Sequence, residues 1–80
     1  MLPSRDGQVR VRANVAGEVE IRAAVGQIIP FGQILAVVEG DQEIESLSVR
    51  KLSEVLEVLV QDGVEVPAGT TLMIVRELED

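Results

Sequence analysis

Four carboxylates, Glu39, Asp41, Glu43 and Glu45, fall within seven residues, and the chain's single lysine, Lys51, follows soon after. Carboxylates so spaced can serve as acid and base or hold a hard cation. Alternation along an extended segment, however, puts Glu43 and Glu45 on one solvated face. Gly40-Asp41 reads as turn chemistry. The expectation is therefore a solvated acidic hairpin with no metal site, whose charge steers encounter with a basic partner. The sequence contains no His and no Cys, which removes the usual general base at neutral pH, the usual thiol nucleophile and most transition-metal ligands. Disulfides and thiolate zinc sites are excluded on the same count. A chain so poor in reactive groups is not expected to be an enzyme.

The elements that position these groups must come from 80 residues with 7 Lys plus Arg against 14 Asp plus Glu, a net charge of −7. That length argues for one domain across residues 1–80. Such a chain buries only about 60% of its unfolded surface, too little to enclose a large active site. The acidic balance and the single aromatic residue, Phe31, oppose nucleic-acid binding, which needs a basic footprint and stacking platforms. The longest stretch without a charge, Ala23 to Val38, is interrupted by Gly26, Gln27, Pro30, Gly32 and Gln33, so no membrane insertion is expected. Met1 to Asp6 lacks an apolar core of the signal-peptide kind, which leaves the cytoplasm as the default compartment.

Fourteen Val and six Ile favour strands over helices. Gln8 to Val15 alternates, with Val9, Val11, Ala13 and Val15 on one face and Arg10, Arg12 and Asn14 on the other; Val19 to Ala23 repeats the pattern. Ile34 to Glu39 and Thr71 to Val75 are short apolar runs after Gly32 and Gly69, as buried strands would be. Leu52, Val55, Leu56 and Leu59 fall at helical spacing, yet Leu56 to Val60 also alternates. Glu77 to Asp80 reads as a frayed tail.

A repeat decides the ambiguous segment. Gly26-Gln-Ile-Ile-Pro30-Phe-Gly32-Gln-Ile-Leu35 returns as Gly63-Val-Glu-Val-Pro67-Ala-Gly69-Thr-Thr-Leu72, displaced by 37 residues. Upstream, Val19-Glu20-Ile21 matches Leu56-Glu57-Val58, so the second segment takes the strand assignment of the first. Each Gly supplies a positive φ at a turn and each Pro fixes φ where the chain bends. The copies span about residues 11–39 and 48–76. Neither is long enough to bury a core alone, so the halves must share one, with Ile21, Leu35, Val37, Val58, Leu72 and Ile74 in it.

Two copies of Gly-x-x-(Val/Ile)-x-x-Gly-x-x-Leu, each between strands, resemble the biotinyl/lipoyl carrier domain family over about residues 9–77. Ala13-Asn-Val-Ala-Gly17 is similar to that family's entry into its first half. Its second counterpart, Val49-Arg-Lys-Leu-Ser53, has Ser53 where Gly is usual. The resemblance implies an all-β barrel-sandwich hybrid: two four-stranded antiparallel sheets, one from each half, related by a pseudo-twofold axis. It also implies a hairpin between the halves that presents a modified lysine at its tip.

Aligned on Glu39, both the biotinyl and the lipoyl pattern put Gln42 at the attachment-lysine position, flanked by Glu39, Gly40, Asp41 and Glu43. A carboxamide nitrogen is not a nucleophile comparable to a lysine amine, so neither biotin nor lipoate, the cofactors the family implies, is expected here. Lys51 lies nine residues beyond the tip and reads as an ordinary exposed lysine. Ser46, Ser48 and Ser53 lie in a strand-like stretch, unlike the serine of a phosphopantetheine carrier, which opens a helix. The reading that follows is a non-catalytic carrier-fold protein that binds protein partners, such as components of carboxylase or dehydrogenase complexes. Its alternative is a genuine biotin or lipoyl carrier component of a carboxylase or acyltransfer complex with an atypical attachment residue. Whether the chain is a monomer or a dimer stays open.

Overall fold

The computed structural model describes residues 7–78. Eight strands follow one another: β1 (Gln8–Arg12), β2 (Gly17–Ile21), β3 (Ile28–Ile29), β4 (Ile34–Glu39), β5 (Ile44–Ser48), β6 (Ser53–Val58), β7 (Glu65–Val66) and β8 (Thr71–Glu77). No helix occurs among the described residues. The segment with helical spacing forms β6, because Met73 to Glu77 offers it an antiparallel partner from Ser53 to Val58. Pairing and burial along a sheet override spacing over so few residues.

Two four-stranded antiparallel sheets result, in the orders β1-β8-β6-β3 and β5-β4-β2-β7. Advancing each strand of the first order by four places, and counting round, yields the second. The fold is thus the expected barrel-sandwich hybrid with pseudo-twofold symmetry. One expectation is corrected: the halves do not form one sheet each. Each sheet takes two strands from each half, so that β1 pairs with β8 and β3 with β6 in one, and β5 with β4 and β7 with β2 in the other. The connecting hydrogen bonds obey the same relation. Gly26 N–H donates to Val55 C=O at 2.8 Å and Gly63 N–H to Val19 C=O at 2.7 Å; Gly32 N–H donates to Val49 C=O and Gly69 N–H to Ala13 C=O. All four glycines have φ between 85° and 92°, in the region that a Cβ disfavours.

Bulges correct the core assignment. Pairing between β4 and β5 skips Leu35, and pairing between β1 and β8 skips Leu72. An unpaired extra residue changes which face its successors occupy. Leu35 and Ala36 are therefore both buried, as are Leu72 and Met73, while Val37 and Ile74 are only partly buried. The core instead takes Val38 and Val75, with Val19, Ile29 and Val55. Ile21 and Val58 pack against its margin. A third irregularity, at Leu56 in β6, revises the repeat: Val55, fully buried like Val19, is its counterpart, and Leu56 is an inserted residue. The displacement is consequently 36 before Leu56 and 37 after it, which places Ser53 opposite Gly17.

The expected tail is shorter than supposed. Glu77 ends β8 and its N–H donates to Gly7 C=O at 2.9 Å, while Leu78 N–H donates to Leu52 C=O at 2.8 Å. Glu79 and Asp80, and the segment Met1 to Asp6, lie outside the described residues.

Candidate functional site: the β4–β5 hairpin tip

β4 and β5 form an antiparallel ladder whose last pair is Glu39 with Ile44. Gly40 N–H donates to Glu43 C=O at 2.8 Å, which closes the hairpin and leaves Asp41 and Gln42 as its two outermost residues, both exposed. Gln42 therefore projects its carboxamide from the apex of a tight turn. No residue other than glycine has positive φ among the described residues, and Gly40 has none either. Gly40 is there for room, since a Cβ would lie 2.8 Å from the Ala16 carbonyl oxygen. Gly17 makes the same allowance from the other side, where a Cβ would overlap the Glu39 carbonyl. These two glycines let the β1–β2 corner press against the base of the hairpin.

Glu45 holds that corner. Its carboxylate accepts the Asn14 backbone N–H at 2.8 Å and also the Asn14 side-chain Nδ2. The expectation of a freely solvated Glu45 is therefore corrected: it is half-buried and engaged in positioning the tip. Glu43 and Asp41 are exposed as expected. Among the described residues, an open groove beside the tip is lined by five carboxylates, Glu18, Glu39, Asp41, Glu43 and Glu65, and by no cation. Three of them form a cross-strand row, with Glu18 of β2 directly opposite both Glu39 of β4 and Glu65 of β7. Like charges so placed repel. Among the described residues no group of three acidic side chains is disposed to hold a metal ion.

Lys51 is exposed and lies in the link from β5 to β6, where its carbonyl accepts the Ser53 hydroxyl at 2.7 Å. It sits at the end of the molecule opposite Gln42, beside Leu52 and Leu78. The length of β5 alone separates the two by about 17 Å at the strand rise of 3.4 Å per residue. The structure thus brings Glu39, Gly40, Asp41, Gln42 and Glu43 together and leaves Lys51 apart. Sequence reasoning missed Glu18, Glu65 and the Asn14–Glu45 clamp, since all three depend on pairing between distant segments.

No protein-family model matches the chain, and no curated protein matches it in sequence. Its fold does resemble solved structures. A single-chain, multi-domain long-chain acyl-CoA carboxylase matches all of the chain with a TM-score of 0.83 and 26% identity. The urea carboxylase of Kluyveromyces lactis matches 92% of it with a TM-score of 0.75 and 20% identity. An aspartoacylase family protein of Mesorhizobium loti matches 95% with a TM-score of 0.74 and 14% identity. The chain spans only 8%, 7% and 27% of those proteins respectively. It is therefore similar to a small portion of two large carboxylases. Among the described residues no helix is long and apolar enough to cross a membrane.

Proposed function

We propose that this chain is a carrier-fold protein that holds no covalent cofactor and acts as a binding or assembly module for protein partners. One observation carries the reading: at the apex of the hairpin stands Gln42, exposed, and the family resemblance would put there the amine that attachment of biotin or lipoate needs. Acylation of a lysine forms an amide by attack of the free amine on an activated carboxyl group. The Gln42 nitrogen has its lone pair delocalised into a carbonyl and cannot make that attack. The tip therefore does not fit either cofactor, and no transfer step runs through it. The likeness to a small portion of two carboxylases favours partners from enzyme assemblies of that kind, and not a catalytic duty of its own.

The competing reading, a genuine carrier of a carboxylase or acyl-transfer complex, would have to use Lys51. That amine is exposed, but it lies at the wrong end and on no two-residue turn. Intact mass after incubation with biotin ligase or lipoate ligase, each with its cofactor and ATP, tests the proposal. The wild-type chain is expected to keep its mass, as is Lys51→Arg. Gain of cofactor by wild type and its loss in Lys51→Arg would overturn the reading in favour of an atypical carrier.

A further inference from the structure

A second concavity, of about 220 Å3, opens along the seam between β1 and β5, far less polar than the groove at the tip. Its floor is apolar, with Val9, Val11 and Leu47 contributing, and Arg10, Arg12 and Arg50 line it as well. Val9 is 38% exposed there. Among the described residues Glu77 is the only carboxylate of the lining. In a chain of net charge −7, three arginines bordering one apolar groove form a local inversion of sign, with Arg10 and Arg12 on the face of β1 opposite Val9 and Val11. The Arg10 and Arg50 side chains have no hydrogen-bond or ion-pair partner among the described residues, and Arg12 Nε reaches only Thr71 Oγ1, at 3.3 Å.

The backbone beside this groove is unpaired in an ordered way. Among the described residues β1 is the outermost strand of its sheet, bonded only to β8. Glu77 N–H donates to Gly7 C=O at one end of the ladder, and Ala13 N–H donates to Thr70 C=O at the other. Alternation then turns the backbone groups of Val9 and Val11 toward β8 and those of Arg10 and Arg12 toward the free edge. β5 is likewise outermost in the other sheet. An edge of this kind is a template for one more strand.

We propose that the seam is a docking site for an extended peptide segment that adds to the free edge of β1, with acidic side chains meeting Arg10, Arg12 and Arg50 and apolar side chains entering the groove. Backbone pairing supplies affinity in this mode and the side-chain groove supplies selectivity. Charge-assisted bonds from guanidinium to carboxylate set the sign of the partner. The seam rests on the binding-module reading only in taking a protein partner. It involves neither Gln42 nor Lys51, so the mass measurement and the peptide measurement fail separately.

The test titrates the full 15N-labelled chain with a blocked hexapeptide of alternating Glu and Val, with its Lys-and-Val counterpart, and with decanoate. The Glu peptide is expected to shift and protect from exchange the Arg10 and Arg12 amides, and to bind at least tenfold more tightly than the Lys peptide. Arg10→Pro, which removes an edge N–H without touching the β8 ladder, should abolish that protection. Arg50→Glu lies outside every strand, leaves the fold's ladders intact, and should weaken the Glu peptide at least fivefold. Equal binding of the two peptides, or shifts confined to other strands, would overturn the proposal. Decanoate filling the groove while the Glu peptide leaves the edge amides unprotected would assign the seam to small anionic amphiphiles instead. Edge protection that rises with protein concentration alone would assign it to a second copy of the chain.

Discussion

Gly17 packs so closely on Glu39 that a Cβ at position 17 would overlap the Glu39 carbonyl oxygen. The pseudo-equivalent position, 53, carries a serine that is 1% exposed and donates its hydroxyl to the Lys51 carbonyl at 2.7 Å. One end of the molecule thus excludes a side chain where the other buries one. The difference is the hairpin: at the tip the chain turns back immediately after Glu39, whereas Ser53 faces Glu77 at the open end of β8.

Gly17→Ala is therefore expected to cost about 1–3 kcal/mol, as overpacking does, and to shift the amides of residues 39–43 most. Ser53→Ala should cost about 0.5–1.5 kcal/mol, the net worth of one hydrogen bond, and leave the tip amides in place. Denaturant titration with amide spectra of both variants checks the pair; undisturbed tip amides in Gly17→Ala would remove the argument for close approach.

Much of this architecture was legible because the repeat is punctuated by glycines that the backbone requires. Gly26, Gly32, Gly63 and Gly69 all adopt positive φ, and the ends of β4 agree with its apolar run. What the sequence concealed were the places where strict alternation breaks. Leu35, Leu72 and Leu56 look like ordinary strand residues, and nothing in their identity marks them as bulged. The exchange of strands between the sheets was equally hidden: the two-residue β3 and β7 carry no periodicity, and alternation in β1 and β5 does not say which strand they pair with. At the site, the Gln42 apex followed from counting. The Asn14–Glu45 clamp did not, because its partners are 31 residues apart.

The fully buried Leu35 and Leu72 belong to one cluster with Val19 and Val55 from the two sheets. Replacing either leucine by Ala should cost about 2–5 kcal/mol. The loss should be felt in both halves at once, because each sheet contains strands from both. Residue-resolved denaturation is expected to show one transition for Val19 and Val55 alike; two separate midpoints would contradict a shared core.

Glu45 offers a test of how the tip is held. Glu45→Ala deletes both hydrogen bonds to Asn14, in a setting exposed enough that the loss should be about 1 kcal/mol. The exchange rate of the Asn14 amide should rise sharply and the amides of Gly40 to Glu43 should shift, while those of Gly69 and Gly32 hold. Unchanged Asn14 exchange would show that the corner is fixed by other contacts.

The last expectation concerns the acidic row. Glu18 lies between Glu39 and Glu65, a cross-strand neighbour of each, and no cation among the described residues lines their groove. Like charges directly opposite destabilise a sheet, and opposite charges contribute roughly 0.2–1 kcal/mol per pair. Glu18→Lys converts two repulsions into two attractions, so the variant should be more stable than wild type by about 1 kcal/mol at low ionic strength. All three side chains are exposed, so salt should screen the gain; at 1 M salt, where the Debye length falls to about 3 Å, most of it should vanish. Glu18→Gln, which removes the charge without reversing it, should fall between the two. Thermal melts of the three proteins across that salt range decide the matter. If Glu18→Lys is less stable than Glu18→Gln at low salt, the row is not under repulsion.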